Sequence, residues 1–207
     1  MSVSEDRTTQ PSVQPAAPAS GIADPAPLGL AAFALTTFLL SAANANWMTH
    51  ATGAAFLGYA LAYGGLGQLL AGMWEFRNRN VFGATAFSTY GAFWIGLFLW
   101  VRLVQSSPPT TADVHDLGWI LLAFAIFNTY MLILSTQVNL AVFGVFLTLE
   151  VTEIILFIGF FSTNSDTIKA GGYVGVLTAL VAWYTSAAGV SNGLAGRLRL
   201  PVGKPLL

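Results

Sequence analysis

The sequence predicts an all-α integral membrane protein of six transmembrane helices, with both chain ends on the cytoplasmic side. Three observations carry that prediction. Apolar residues make up 55% of the 207-residue chain and charged residues only 8%, whereas soluble domains carry about a quarter charged residues. A surface so poor in charge cannot be sustained in water, so the apolar excess must face lipid. Apolar runs recur six times at close to the roughly 20-residue length that crosses a bilayer. Finally, the few basic residues cluster in the termini and in one of the two kinds of alternating loop.

Residues Met1 to Ala23 are rich in Pro, Ser, Thr and Gln and poor in aromatics. Such a segment buries too little apolar surface to offset its ordering entropy, so 1–23 reads as a disordered cytoplasmic tail. The first apolar run follows a polar stretch with a single basic residue, Arg7. It lacks the basic leader and cleavage pattern of a signal peptide and reads as a first helix, Leu28 to Ala45. Gly53 to Trp74 forms the second span, ended by the polar string from Glu75 to Asn80. The third runs from Phe82 to Val104. A loop with Pro108, Pro109, Asp113, His115 and Asp116 leads to the fourth, Leu117 to Thr136. The link Gln137-Val138-Asn139 opens the fifth, Leu140 to Phe161, and the sixth runs from Gly171 to about Val190. The spans form one domain over 24–194, followed by a short cytoplasmic tail over 195–207.

Orientation follows from the basic residues. With the N-terminus inside, Arg7, Arg77, Arg79, Arg197, Arg199 and Lys204 lie in the cytoplasm, and only Arg102 and Lys169 lie outside. The opposite orientation reverses that bias against the positive-inside rule. Trp47, Trp74 and Trp119 stand at span ends and read as interfacial belt residues; Trp94 and Trp100 suit either a belt or the bundle interior. Glycines recur in the second span, and small residues let helices approach closely in lipid, where no hydrophobic drive joins them. The first and fourth helices both open on Leu-Gly, at Leu28-Gly29 and Leu117-Gly118. That pairing suggests a 3+3 inverted repeat, an architecture common among transporters.

Polar groups at membrane depth narrow the function. Glu150 and Glu153 fall in the fifth span, three residues apart and so on one helical face. A carboxylate in hydrocarbon must neutralise, find a partner or face a watery cavity. Two readings stand for this pair: a proton-carrying site coupled to transport, or neutral acids that join helices or subunits. Asn44, Gln68, Thr85, Ser88, Thr89, Tyr90 and Asn128 add hydrogen-bonding groups in other spans. Singly each suits an interhelical contact; together they suit the lining of a narrow path.

Several classes are set aside. The net charge of −1 gives no field for nucleic acid. With no cysteine, disulfides, thiolate metal sites and cysteine nucleophiles are excluded. His50 and His115 have no neighbouring ligand set, so no metal is expected. The glycines of Tyr63-Gly64-Gly65-Leu66-Gly67-Gln68 lie inside a span without the strand-turn-helix context of a phosphate loop. No catalytic constellation marks an enzyme, and no cofactor is expected.

The run Asp24-Pro25-Ala26-Pro27-Leu28-Gly29-Leu30 resembles the [Asn/Asp]-Pro-Ala-Pro-Leu-Gly-Leu signature of the acetate uptake transporter family. That family includes bacterial succinate–acetate permeases and fungal proteins linked to acetate and ammonia. Tyr63-Gly64-Gly65, Gln68, Ala71-Gly72, Glu75, Asn80, Phe82-Gly83, Thr85-Ala86-Phe87, Tyr90-Gly91 and Phe93-Trp94 match its second and third helices at the same spacing. The resemblance covers Asp24 to about Trp94 strongly and the rest weakly. It implies a six-helix protomer with its own pore, assembled as a homohexamer in the cell (plasma) membrane. The implied cargo is acetate and related small monocarboxylates, possessing in succinate a larger relative, often moved with a proton. It also implies a hydrophobic constriction, at which Phe33 and Tyr90 match two members by motif and Leu149 the third by span alignment. Ala182 aligns with a small residue near the pathway that affects substrate size. Asp24 stands where Asn is commoner, and Glu150 and Glu153 follow Leu149 where many bacterial members are apolar.

A narrow apolar ring fits such a cargo, since it passes a small neutral acid or dehydrated anion and rejects bulky hydrated ions. Pro25 and Pro27 suit a helix first turn, where a missing N–H costs nothing, and the helix N-terminus there attracts anions. Asp24 can cap that end. The first function expected is therefore a proton-coupled transporter for acetate and related monocarboxylates. The alternative is a passive channel for acetate or another small solute such as ammonia or urea. A structural or sensory membrane protein without flux is the third reading.

Overall fold

The computed structural model describes residues 21–48 and 55–207. Arg7, His50, Gly53 and all but the last three residues of the predicted N-terminal tail lie outside them. Helix α1 is Ala26–Asn44. A continuous helix α2 follows in three parts: the α turn Phe56–Tyr59, the π segment Ala60–Gly67 and the α segment Gln68–Arg77. Then come α3 (Val81–Leu103), α4 (Thr111–Ser135), α5 (Leu140–Phe161) and α6 (Ser165–Gly193). Among the described residues, α1, α3, α4, α5 and α6 are each long and apolar enough to cross a membrane. The shortest, at 19 residues, is about 28 Å long, close to the hydrocarbon thickness.

Polar side chains set the helix starts. Asn80 accepts the Gly83 N–H (3.1 Å), Asn139 that of Val142 (2.9 Å) and Asn164 that of Thr167 (2.9 Å). Each satisfies a donor that has no partner within its own first turn. Thr110 and Asp113 form a reciprocal capping box, with the Thr110 hydroxyl accepting from Asp113 N and Asp113 accepting from Thr110 N at 2.7 Å. That box starts α4 at Thr111, six residues before the predicted span, so Asp113, His115 and Asp116 lie on the helix rather than in a loop. Asn164 likewise starts α6 at Ser165 instead of Gly171. The predicted limits of the fifth span coincide with those of α5.

Helix α6 packs against α1 and α5, α4 against α5, and α2 against α1 and α3. The ring of helices closes where Tyr90 of α3 meets Phe124 and Phe127 of α4, at centroid distances of 5.9 and 5.5 Å. Close approach depends on glycine at two sites. A Cβ on Gly91 of α3 would lie 2.6 Å from the Leu69 backbone nitrogen of α2. A Cβ on Gly65 would lie 2.5 Å from the Ala60 carbonyl oxygen. Ala60 is five residues earlier, the spacing that a π turn brings together. Gly91→Ala is therefore expected to force α2 and α3 apart and cost about 1–3 kcal/mol of stability. Thermal unfolding in detergent checks this.

The C-terminal residues return along the ends of α4, α5 and α6. Ala141 N donates to Val202 O (2.9 Å), Leu206 N to Thr136 O (2.7 Å) and Leu200 N to Asn192 Oδ1 (3.0 Å). Tyr184 adds a hydroxyl bond to Pro201 O. Gly203 takes a positive φ of 74° there, a conformation glycine adopts without strain. Arg77, Arg79, Arg197, Arg199 and Lys204 lie toward this end of the bundle, and Arg102 and Lys169 toward the other.

Candidate functional site

Among the described residues, three cavities lie in series between the helices. The largest, about 450 Å³, opens between the Asn44 end of α1 and the neighbouring ends of α3, α4 and α5, with Trp100, Gln105, Leu117 and Phe160 in its wall. A second, of about 40 Å³, shares Leu40, Asn44, Phe93, Leu121 and Leu156 with it. The third, of about 20 Å³, shares Phe33, Tyr90 and Leu149 with the second and none of its lining with the first. Phe33, Tyr90 and Leu149 therefore stand between the two small cavities. By volume the 40 Å³ chamber holds about three water-sized groups and the 20 Å³ one only about one or two.

The three residues come from three helices. Phe33 lies on α1, Tyr90 on α3 and Leu149 on α5, each no more than 6% exposed and all in one apolar cluster with Leu30, Phe87, Phe146 and Ala182. Phe33 meets Tyr90 edge to face at 5.7 Å, a favoured aromatic geometry. Ala182 of α6 is fully buried in the cluster but lines none of the three cavities. Thr85 is half-buried and also lines none of them. Gln68, 1% exposed, lines the smallest cavity, and its Oε1 has no partner among the described residues.

A polar network crosses from α5 to α4 and α3. Asn128 Nδ2 donates to Glu150 Oε2 at 2.7 Å and to Phe146 O at 3.0 Å. Both amide hydrogens are thereby used, which leaves Asn128 Oδ1 as the acceptor for the Tyr90 hydroxyl at 3.0 Å. Glu153 Oε1 lies 3.5 Å from the same hydroxyl, the weaker of its two contacts. Thr129 donates to Glu150 Oε1 at 2.8 Å. The two carboxylates thus join one network from different places. Glu153 is buried and lines the 40 Å³ chamber, whereas half-buried Glu150 faces α4. Thr152 pairs with Thr178 of α6 across 3.0 Å.

The signature run lies at the opposite end from the large cavity. Asp24 Oδ1 accepts the Ala26 N–H at 3.0 Å. Pro25 is the N-cap residue, Pro27 lies in the first turn of α1, and the Pro27 carbonyl accepts the Ser186 hydroxyl of α6 at 2.6 Å. Gly29 meets the Phe87 ring, Leu30 enters the core and Leu28 points outward. Near this end Glu75 is fully buried, with Asn78 Nδ2 donating to its Oε2 at 3.1 Å.

The model of the GPR1/FUN34/yaaH family matches residues 6–204. The chain belongs to that family. Within it, the chain is 38% identical to acetate permease A of Emericella nidulans, over 93% of this chain and 70% of that protein. It is 32% identical to the succinate-acetate/proton symporter SatP of Escherichia coli, over 88% and 96% of the two chains. The solved structure of the bacterial acetate channel SatP superposes with a TM-score of 0.80 at 32% identity, covering 88% of this chain and 99% of that one. The family resemblance read from the signature is thereby established, and the chain is a multi-pass membrane protein with relatives named as a permease, a symporter and a channel. Thr37, which shares the chamber with Glu153, was not singled out by the sequence, and Trp94, which also lines it, was read there as a belt or bundle residue and a family match but not as part of a site. The signal for Trp94 was its position inside a span, since belt residues stand at span ends.

Proposed function

We propose that the chain carries acetate and related small monocarboxylates across the cell membrane, together with a proton, through a path inside each protomer. The observation that carries this reading is the apolar trio Phe33, Tyr90 and Leu149 between two small cavities, with the buried carboxylate of Glu153 beside it. A constriction of two rings and an isobutyl group favours a small solute that sheds its water readily. Asn44, at the shared wall of the large and middle cavities, offers an amide to a carboxyl group on its way in. Gln68 does the same on the other side of the trio. On this reading Glu153, linked to Glu150 through Tyr90 and Asn128, supplies the proton site.

The proposed protomer has six spans in two inverted halves, α2 completing the set, with both ends cytoplasmic and six protomers in the assembly. The basic residues support the orientation, and the hexamer rests on the family resemblance. Names among the relatives favour both a symporter and a channel, so the passive alternative is tested directly. Purified protein in liposomes is expected to take up labelled acetate several-fold faster under an inward proton gradient, and a protonophore should abolish the gain. Uptake indifferent to the gradient establishes the channel reading instead. Absence of acetate flux at any pH removes the substrate assignment.

A further inference from the structure

Six buried side-chain polar atoms lack a hydrogen-bond partner among the described residues, and three belong to residues lining the 40 Å³ chamber: Thr37 Oγ1, Trp94 Nε1 and Glu153 Oε2. All three residues are more than nine-tenths buried. An unmade bond of this kind costs about 1–3 kcal/mol, and native proteins hold few of them. Three around one small chamber mark a place where something else completes the bonding. Of the other polar groups in its lining, Tyr90 is engaged with Asn128 and Glu153 and Thr152 with Thr178, while Ser41 and Asn44 stand on the α1 wall, Asn44 also lining the large cavity.

The free groups have a definite pattern. Trp94 Nε1 is a donor only, Thr37 donates or accepts, and the Glu153 oxygen, when ionised, only accepts. Among the described residues, no Lys, Arg or His lines the chamber. A carboxylate anion would place a second negative group beside Glu153 with no cation to balance either. An undissociated carboxylic acid offers one O–H donor and one carbonyl acceptor, which matches the chamber group for group. The titratable groups facing Glu153 are Tyr90 from α3 and Glu150 one turn earlier on its own helix. Helix α4 presents the neutral amide of Asn128, and α1 and α6 present hydroxyls and amides only.

We infer that this chamber binds the substrate acid in its undissociated form, the acid's O–H donating to Glu153 Oε2 and its carbonyl accepting from Trp94 Nε1 and Thr37 Oγ1. This rests on the monocarboxylate reading above and specifies which form of the solute the protein selects. Two facing carboxyl groups hold one proton between them, so with Glu153 ionised in the empty chamber one proton enters with each bound acid, whichever oxygen then carries it. Glu153 then acts as a specificity residue. A ligand without a hydrogen to donate leaves its oxygen unpaired, the situation that gives the strongest discrimination in polar sites.

The test is binding to the detergent-purified full chain, with acetate and its neutral isostere acetamide as probes. Acetate affinity is expected to fall about tenfold per unit from about pH 6 to about pH 8, as for one coupled proton. Acetamide, which carries its own N–H, should bind with no such slope. In Glu153→Gln the carboxamide can donate to the anion, so acetate affinity should become flat with pH while acetamide binding is kept. A flat acetate profile in the wild type, or an unchanged slope in Glu153→Gln, overturns the inference. Should that variant fail to fold, Thr37→Val and Trp94→Phe carry the test. Each is expected to weaken acetate about five- to tenfold with the slope retained, and unaltered affinity in both overturns it. Proton-linked binding without flux in liposomes would remove the transport reading and leave this site standing. Flux without proton-linked binding would do the reverse.

Discussion

Replacing Leu149 with Ala is expected to raise uptake of propionate relative to acetate by about tenfold or more. One methylene in a well-fitted apolar pocket is worth about 1–3 kcal/mol of discrimination, or 10- to 200-fold. Leu149 stands with Phe33 and Tyr90 between the two small cavities, and truncation removes three carbons from that wall. The neighbours are poorly placed to close the gap. Phe33 and Tyr90 are fixed edge to face at 5.7 Å, and Tyr90 is further held by Phe127 at 5.5 Å and by its bond to Asn128. The added space should therefore join the cavities instead of collapsing. Initial rates for the two labelled acids in liposomes measure the ratio. Ala182→Leu should move it the other way, because Ala182 has no exposed surface in the same cluster and a larger side chain there must press on its neighbours. A ratio unchanged in both variants would place the size filter elsewhere.

The parts of this architecture legible in the sequence are those with a local chemical cause. Leu140–Phe161 was readable because Asn139 caps one end and the polar residues after Phe161 stop the other. The early start of α4 was not. Its capping box lies in a polar stretch that composition assigns to a loop, so the helix gains a polar first turn ahead of its apolar run. The π segment at Ala60–Gly67 was equally hidden. Its glycines suit tight packing in any helix, and only the close approach of the Ala60 carbonyl to Gly65 reveals the wider turn.

The site was less legible for a reason particular to lipid. In a water-soluble bundle the apolar stripe shows which face is buried. Here the face toward lipid is also apolar: Ile126 and Ile133 on α4 are more than 60% exposed, while Leu121 and Met131 on the same helix are buried. Rotation about each helix axis is thus unspecified by hydropathy. Polar residues then become the guide to the interior, and Asn128 and Glu153, singled out on that ground, are both buried. Polar character also pointed to Thr85, which lines none of the three cavities described, and left out Thr37, which lines the middle one. Phe33 and Leu149 carry no polar signal that separates them from the surrounding apolar residues, and only the family resemblance, by motif for Phe33 and Tyr90 and by span alignment for Leu149, brought the three together.

Asn128→Leu is expected to cost about 3 kcal/mol, and the cost should shrink when Glu150 is replaced as well. Asn128 is fully buried and satisfies three groups at once: Glu150 and the Phe146 carbonyl through its nitrogen, and the Tyr90 hydroxyl through its oxygen. Leucine occupies similar space and offers none of these bonds, so two side chains lose a partner at about 1–3 kcal/mol each. Glu150 keeps Thr129 at 2.8 Å and is only half-buried, which places its share at the low end. In Asn128→Leu/Glu150→Leu one of those stranded groups is gone. Interhelical hydrogen bonds in membranes couple by about 0.6 kcal/mol on average and at most about 1.7, so the double variant should recover about 1 kcal/mol of the summed losses. Unfolding of the four proteins in detergent closes the cycle. Strict additivity would mean that the Asn128–Glu150 bond adds nothing to the tie between α4 and α5, leaving the Phe146 carbonyl bond to make it. Recovery would show that the network fixes α4 against α5 as a unit, and with them the Tyr90 hydroxyl. That hydroxyl belongs at once to the apolar constriction and to the partner list of Glu153, so the rigidity of Asn128 would set both the width of the path and the position of its acid.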